Sequence, residues 1–237
     1  MPYIEGYILA VPEQNKEAYR QHAEGAVAYF KERGVTRMVE TWGDELPDGE
    51  VTDFRRAVKA RPGEAVLFAW LEYPSREVRD AAVKQYRSDP QMKQLGASMP
   101  FDGQRLIWGG FEPISDQGSA EKPGYVDGTI IPVPARNEAA YRDRAARCNP
   151  VFLEHGATRV VDAWDDDLHD GKVTDFKGAV NQQDDERVVY SWIEWPSKEV
   201  RDAAWPKVMA DPRVRDLAAP FDGERLICGG FRPILDA

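Results

Sequence analysis

Carboxylates and aromatic side chains alternate along the predicted strands of this sequence, where they could do acid–base chemistry. Glu5 lies between Tyr3 and Tyr7, and its counterpart in the second half of the chain is Asp127. Alternate residues of a strand share a face, so Glu5 and its neighbouring tyrosines should point to the same side of their sheet. A carboxylate desolvated among aromatic rings has a raised pKa and can act as a general acid or base. We therefore single out Glu5 and Asp127 as candidate catalytic residues.

Further carboxylates and tryptophans share faces of the other predicted strands. The residues that we expect to line a ligand site are Tyr7, Glu40, Trp42, Trp70, Glu72, Asp162, Trp164, Trp192 and Glu194. If these faces line the interior of the fold, they suit a cavity for a small aromatic or cationic ligand. A structural alternative stays open, in which the tryptophans are core residues and the acids are solvated at strand ends or protect an outer strand.

No histidine is repeated between the two halves, which limits metal and haem chemistry. Each histidine aligns with a different residue type in the other copy: His22, His155 and His169 correspond to Arg144, Arg33 and Pro47. A symmetric histidine-ligated site is therefore excluded, whereas a single asymmetric one is not. We find no zinc spacing, no glycine-rich phosphate loop and no nucleophile elbow. We expect no metal and no organic cofactor.

The composition is that of a soluble, acidic protein. The 237 residues carry a formal charge of −10, and that field repels phosphate backbones and anionic lipids. We therefore expect no nucleic acid or membrane partner. No apolar run approaches the ~20 residues of a membrane span, and the N-terminus does not resemble a signal peptide. Cys148 and Cys228 correspond to Ala26 and Trp108, which indicates reduced thiols and a cytoplasmic protein.

A long motif closes each half of the chain. Met99 to Ile114 (MPFDGQRLIWGGFEPI) returns as Ala219 to Ile234 (APFDGERLICGGFRPI). We predict a first repeat over residues 1–114, a polar linker over 115–124 and a second repeat over 125–237. The linker would hold the repeats at high effective concentration, as a dimer within one chain. The sequence leaves a further homo-oligomer open.

Hydrophobic periodicity predicts the order β-α-β-β-α-β in each repeat, with the last strand of the first repeat over Arg105–Phe111. This is the ferredoxin-like pattern, whose two helices cover one face of the sheet. The stretch Ala65 to Leu71 is apolar on both faces, so the second face must be covered too. We predict an α+β fold of two ferredoxin-like units packed sheet to sheet. Glu5 and Asp127 would then point into the space between the sheets.

Three motifs and their second copies resemble a bacterial family of small domains of unknown function: Gly43 to Phe54, Glu72 to Asp80 and Pro100 to Ile114. That family belongs to the dimeric α+β barrel superfamily, so the resemblance implies a barrel of two face-packed sheets. The superfamily includes cofactor-free monooxygenases, haem-degrading enzymes and muconolactone-type isomerases, but the family itself implies no catalytic residues. This chain departs from the usual single copy. It also reads DDDLHD at Asp165 to Asp170 where the first copy has GDELPD.

Three functional hypotheses follow. The first, slightly preferred, is a cytoplasmic barrel that binds a small molecule. The second is a cofactor-independent monooxygenase- or isomerase-like enzyme that uses a buried carboxylate, Glu5 or Asp127. The third is a structural or assembly module with a filled interior. If Trp70, Trp192 and their neighbours pack the space between the sheets solidly, both ligand hypotheses fail.

Overall fold

A computed structural model describes residues 2–237, and Met1, the first residue of the predicted first repeat, lies outside the described part. Each half contributes four long strands. Those of the first half are β1 Tyr3–Pro12, β2 Arg37–Glu45, β3 Glu64–Tyr73 and β4 Ile107–Gly118. Those of the second half are β5 Tyr125–Pro134, β6 Arg159–Leu168, β7 Glu186–Trp195 and β8 Ile227–Asp236.

The helices follow the strands in the same order in both halves. The first half has α1 Lys16–Lys31, α2 Phe54–Ala57, α3 Arg76–Tyr86 and α4 Pro90–Ala97. The second half has α5 Glu138–Glu154, α6 Phe176–Ala179, α7 Lys198–Ala210 and α8 Pro212–Arg215. Ser75 and Ser197 cap α3 and α7, because their hydroxyls accept backbone N–H groups of the first turn. Over residues 2–237, none of these helices combines the length and the apolar character that a bilayer crossing requires.

The eight strands close into one antiparallel barrel in the order β1-β3-β2-β8-β5-β7-β6-β4. The halves are joined by two ladders, because β2 pairs with β8 and β4 pairs with β6. The predicted α+β fold of two ferredoxin-like units is thus confirmed. The predicted end of the last strand is wrong. Residues 115–118, assigned to the linker, extend β4, since Ser115 pairs with Asp162 and Gly118 with Arg159.

Aromatic rings fill the interior of the barrel. The centroids of Phe68 and Tyr190 are 4.4 Å apart in a stacked pair, and those of Trp70 and Trp192 are 4.6 Å apart. All four side chains are fully buried. A Cβ atom at Gly6 would lie 2.9 Å from the Tyr190 ring, so glycine lets that ring approach the backbone of β1. The space between the sheets is therefore packed core.

The outer face of each sheet is covered by helices. In the first half, Tyr19 and Ala23 of α1 and Ala82 of α3 pack in one cluster with Leu67 and Leu71 of β3. Strands β1 and β3 are therefore buried on both faces, one toward the barrel and one toward the helices. This second layer, between sheet and helices, is where polar side chains occur among apolar ones.

The alternation along β1 is opposite to the prediction. Ile4 and Ile8 face the barrel interior, whereas Glu5 reaches Arg79 of α3 on the helix side. The prediction that Glu5 and Asp127 point between the sheets is therefore wrong. The crowded interior takes the small and aliphatic side chains of β1, which leaves its larger polar residues to the helix layer.

The other predicted binding residues divide between the two sides of the sheets. Four lie inside the barrel, as predicted: Trp70, Glu72, Trp192 and Glu194. Five lie on the helix side, which corrects the expectation that they line the interior: Tyr7, Glu40, Trp42, Asp162 and Trp164. The cause is again the alternation, because Val39 of β2 and Val161 and Ala163 of β6 are the residues that turn inward.

Candidate functional site

A cavity of about 390 Å³ lies between the sheet and the helices of the first half. It is the larger of two adjoining cavities in this half, and we call it the larger cavity. Its polar wall consists of Glu5 and Tyr7 of β1, Arg87 at the end of α3 and His169 of the second half. Its apolar and aromatic wall includes Phe30 of α1, Val83 and Tyr86 of α3, Met99 and Trp108. A mostly apolar cavity of this size, with few polar groups, is typical of small-molecule sites.

A smaller cavity of about 120 Å³ adjoins the larger one, and together they form the first-half cleft. The two cavities have four wall residues in common: Tyr7, Phe30, Met99 and Leu106. The smaller cavity adds three polar side chains, those of Tyr19, His22 and Glu40. Burial lowers the pKa of His22, which favours its neutral form.

Glu5 is a carboxylate whose two oxygens are both occupied. Its Oε1 accepts hydrogen bonds from Nε and Nη2 of Arg79 at 3.2 and 3.0 Å. Its Oε2 accepts the hydroxyl of Tyr7 at 2.7 Å and that of Tyr73 at 3.4 Å. Burial raises the pKa of Glu5, and the charge of Arg79 and the Tyr7 hydrogen bond act against that rise. Glu5 thus joins β1 to α3, and four hydrogen bonds from the protein occupy its two oxygens.

Glu40 is buried with fewer hydrogen-bond donors and charge partners than Glu5. Its Oε2 accepts a hydrogen bond of 2.7 Å from the hydroxyl of Tyr19, and no ion pair to it occurs within residues 2–237. Burial raises the pKa of Glu40 to about 7, and the hydrogen bond from Tyr19 offsets only part of that effect. Burial and the nearby carboxylate raise the pKa of Tyr19 well above its usual range, so it stays a donor. A carboxyl group that titrates near neutral pH beside a cavity can accept or release a proton.

The corresponding carboxylates of the second half accept hydrogen bonds from donors that the first half lacks. Asp127, the counterpart of Glu5, accepts the indole N–H groups of Trp195 and Trp205, both at 2.9 Å, and pairs with Arg201 at 2.9 Å. Trp205 stands where the first half has Val83. Asp127 is therefore saturated by three cationic or N–H donors, which does not favour its predicted role as a base.

Asp162 shows the same difference from Glu40. Its two oxygens accept the Tyr141 hydroxyl at 2.7 Å and Nδ2 of Asn149 at 2.8 Å. The first half has Val27 in place of Asn149, so this second donor is lost there. The duplicated acid is thus a fixed structural group in one half and an under-bonded group in the other.

A cavity of about 440 Å³ also lies beside the sheet of the second half, but its walls differ in chemistry. Pro47 and Cys228 line it where His169 and Trp108 line the larger cavity. Thr129 replaces Tyr7. The first-half cleft is therefore richer in aromatic rings.

Glu72 and Glu194 belong to an ion-pair network at one end of the barrel. Arg37 donates to both oxygens of Glu194 at 2.9 Å, and Arg159 donates to those of Glu72 at 2.7 and 3.2 Å. The indole N–H groups of the two barrel tryptophans donate to the same carboxylates at 3.1 and 3.0 Å. These residues bind one another, so the prediction of a ligand site between the sheets is wrong.

Trp42 and Trp164 pack at the helix side under basic side chains. The Nζ atom of Lys16 lies 5.0 Å from the Trp42 ring centroid, and the guanidinium of Arg187 lies 5.7 Å from that of Trp164. Neither tryptophan lines the first-half cleft. Within the described residues 2–237, no three His, Cys, Asp or Glu side chains are grouped so as to hold a metal ion.

The sequence interpretation missed two residues of the larger cavity, His169 and Trp108. Their ring centroids are 4.0 Å apart, although one belongs to the second half and the other to the first. The available signal was the stretch around His169, where the two copies differ in sequence. This difference alone could not place His169 in the first-half cleft, because its position there depends on the pairing of β4 with β6.

Comparison with known proteins identifies related sequences for both halves. A family model described as "Protein of unknown function (DUF1428)" matches residues 2–103 and 124–223. The uncharacterized protein YbaA of Escherichia coli (strain K12) is 56% identical over 117 residues, which are 49% of this chain and 100% of that protein. The YbaA protein of Shigella flexneri gives the same values. These relatives have the length of one half.

Solved structures share the whole architecture. A candidate monooxygenase from Fusobacterium nucleatum subsp. nucleatum has a TM-score of 0.61 at 10% identity, covering 99% of this chain and 93% of that one. A candidate monooxygenase from Lactobacillus acidophilus has a TM-score of 0.61 at 9% identity, covering 100% and 95%. An anthrone oxidase-like protein has a TM-score of 0.52 at 12% identity, covering 100% and 92%. At these identities the likeness shows the fold alone.

Proposed function

The chain belongs to the DUF1428 family of proteins of unknown function, as two tandem copies, and we propose that its first-half cleft binds a small, planar and mostly apolar molecule. The observation that carries this proposal is the larger cavity of about 390 Å³, walled by rings of Phe30, Tyr86 and Trp108 from three different elements. Aromatic walls favour a flat ligand, because offset and edge-to-face ring contacts stabilise it beyond simple area burial. We also propose a cytoplasmic location, which the free thiols of Cys148 and Cys228 support.

The proposal is tested by filling the cavity with a side chain that the fold already accepts. Val83→Trp introduces the residue that the second half carries as Trp205. The matched control is Cys228→Trp, which puts the Trp108 side chain into the other half. We expect 2-methylnaphthalene to bind the wild-type chain in a calorimetric titration, Val83→Trp to weaken binding at least tenfold, and Cys228→Trp to leave it unchanged. Equal affinities for all three proteins would refute the location.

A second candidate function is proton transfer by Glu40. It is favoured by the pKa of about 7 that burial gives this carboxyl group, which has a single side-chain donor beside the smaller cavity. Two proteins of the same fold are described as candidate monooxygenases and a third as anthrone oxidase-like. We therefore propose that ionised Glu40 removes a proton from an acidic C–H of a bound ring ketone. Glu40 replaces Glu5 and Asp127 as the candidate base.

Proton removal can be measured without any oxidation step. We expect the wild-type protein to accelerate deuterium exchange at the methylene group of anthrone, followed by proton NMR in D₂O under nitrogen. Glu40→Gln should abolish the acceleration and retain binding of 2-methylnaphthalene. Asp162→Asn, which removes the same group from the second half, should exchange anthrone at the wild-type rate. An unchanged rate in Glu40→Gln would remove this candidate.

A further inference from the structure

One wall of the first-half cleft is supplied by the second half of the chain. Strand β6 pairs with β4 across the junction, with Leu168 opposite Gly109. The next residue along the chain, His169, thereby lies against Trp108, with ring centroids 4.0 Å apart and planes tilted by 39°. His169 is also a wall residue of the larger cavity. The wall of the cleft is therefore completed by the second half of the chain.

The imidazole of His169 has an unused polar atom. Its Nε2 is buried and has no hydrogen-bond partner within residues 2–237. The nearest carboxylate oxygen, Oδ2 of Asp167, is 3.7 Å away, and that carboxylate is already paired with Arg79. A buried polar atom without a partner is unfavourable. The His169 side chain is 30% exposed, so a rotation of its imidazole can bring Nε2 to the cavity, where a ligand that supplies the partner recovers free energy on binding.

The charges around this nitrogen select the kind of partner. Asp167 lies beside it and Glu5 lines the same cavity, and the guanidinium of Arg79 is already engaged with both acids. A ligand carboxylate placed at Nε2 would lie beside the carboxylate of Asp167, whereas the further cation of the cavity wall, Arg87, belongs to the end of α3. A neutral hydroxyl group can both donate and accept, so it suits Nε2 in either imidazole tautomer.

Resting on the proposed binding function, we propose that His169 recognises the hydroxyl of a neutral aromatic alcohol bound in the larger cavity. The substrate or ligand class is thus a planar phenol rather than a plain hydrocarbon. The corresponding cavity of the second half has Pro47 and Cys228 in these places, which offer neither an imidazole nor an indole. Recognition of the hydroxyl is therefore confined to one cleft per chain.

The test compares two probes of one shape, 2-naphthol and 2-methylnaphthalene, in titrations of the full chain followed by calorimetry. We expect the wild-type protein to prefer 2-naphthol about tenfold, the effect of one buried hydrogen bond. His169→Leu should remove that preference and leave the affinity for 2-methylnaphthalene unchanged. His169→Gln, which keeps a donor and an acceptor, should restore part of it. Pro47→His is the matched control in the other half and should change neither affinity.

Each outcome separates this inference from the proposed function. If His169→Leu lowers both affinities equally, His169 only packs the wall and the inference is overturned. If the preference for 2-naphthol survives in His169→Leu, another group recognises the hydroxyl and the inference is again overturned, whereas binding in the cleft stands. If neither probe binds the wild-type chain, the proposed function fails and the inference fails with it.

Discussion

Glu40→Gln should stabilise this protein in a pH-dependent manner. Folding raises the pKa of Glu40 from its ordinary 4.5 to about 7, because the charged form is desolvated and has only Tyr19 as a partner. Between these two pH values the folded chain retains a proton that the unfolded chain releases. The stability contributed by neutral Glu40 is therefore fully present below pH 4.5 and is lost as the pH rises to about 7.

The magnitude follows from the same pH interval. Each pH unit between 4.5 and about 7 removes ~1.4 kcal/mol, so the accumulated loss is about 3 kcal/mol. Glutamine has no proton to lose and can still accept the hydroxyl of Tyr19. The free energy of unfolding of Glu40→Gln minus that of the wild type should thus grow by about 3 kcal/mol between pH 4.5 and pH 7.5.

Urea unfolding followed by circular dichroism at several pH values measures this difference directly. The matched control is Asp162→Asn, which should be destabilised by ~1 kcal/mol at pH 7.5, since an amide nitrogen cannot accept the donors on both oxygens of Asp162. The two substitutions therefore have opposite signs at this pH. A difference for Glu40→Gln that stays constant across the pH range would refute the assignment of a buried carboxylate without an ion-pair partner.

Three further substitutions test the packing around the cleft. Glu5→Gln should lower the free energy of unfolding by about 3 kcal/mol, because it leaves Arg79 buried without its main counter-ion; urea unfolding at pH 7 measures this, and a neutral effect would contradict it. Gly6→Ala should cost roughly 1–3 kcal/mol through the clash with Tyr190, visible as a lower melting temperature. Gly25→Ala, in an open position of α1, should instead stabilise by up to ~1 kcal/mol, and the same sign for both alanines would contradict the packing.

The duplication and the strand order were predictable because they depend on patterns within each half. The end of β4 was not, since Ser115 to Gly118 has the composition of a linker. Backbone hydrogen bonds to β6 form whatever the side chains are, so composition does not reveal them.

The orientation of Glu5 could not be deduced from alternation alone. Strand β1 is buried on both faces, so alternation tells which residues share a face and not which face is inside. The orientation of β1 is set by the partner sheet, because the Tyr190 ring of that sheet packs directly against Gly6. The role of His169 depends in the same way on a pairing between halves, which no local pattern encodes.

The central claim is that the first-half cleft, and not the barrel or the second half, holds the ligand. Its most direct test is NMR of the full chain with ¹³C-labelled methionine methyl groups during titration with 2-naphthol. Met92 and Met99 line the larger cavity, whereas Met209 on α7 is exposed in the second half. We predict ring-current shifts of Met92 and Met99 with Met209 unchanged. Binding that shifts Met209 alone, or none of the three, would contradict the account.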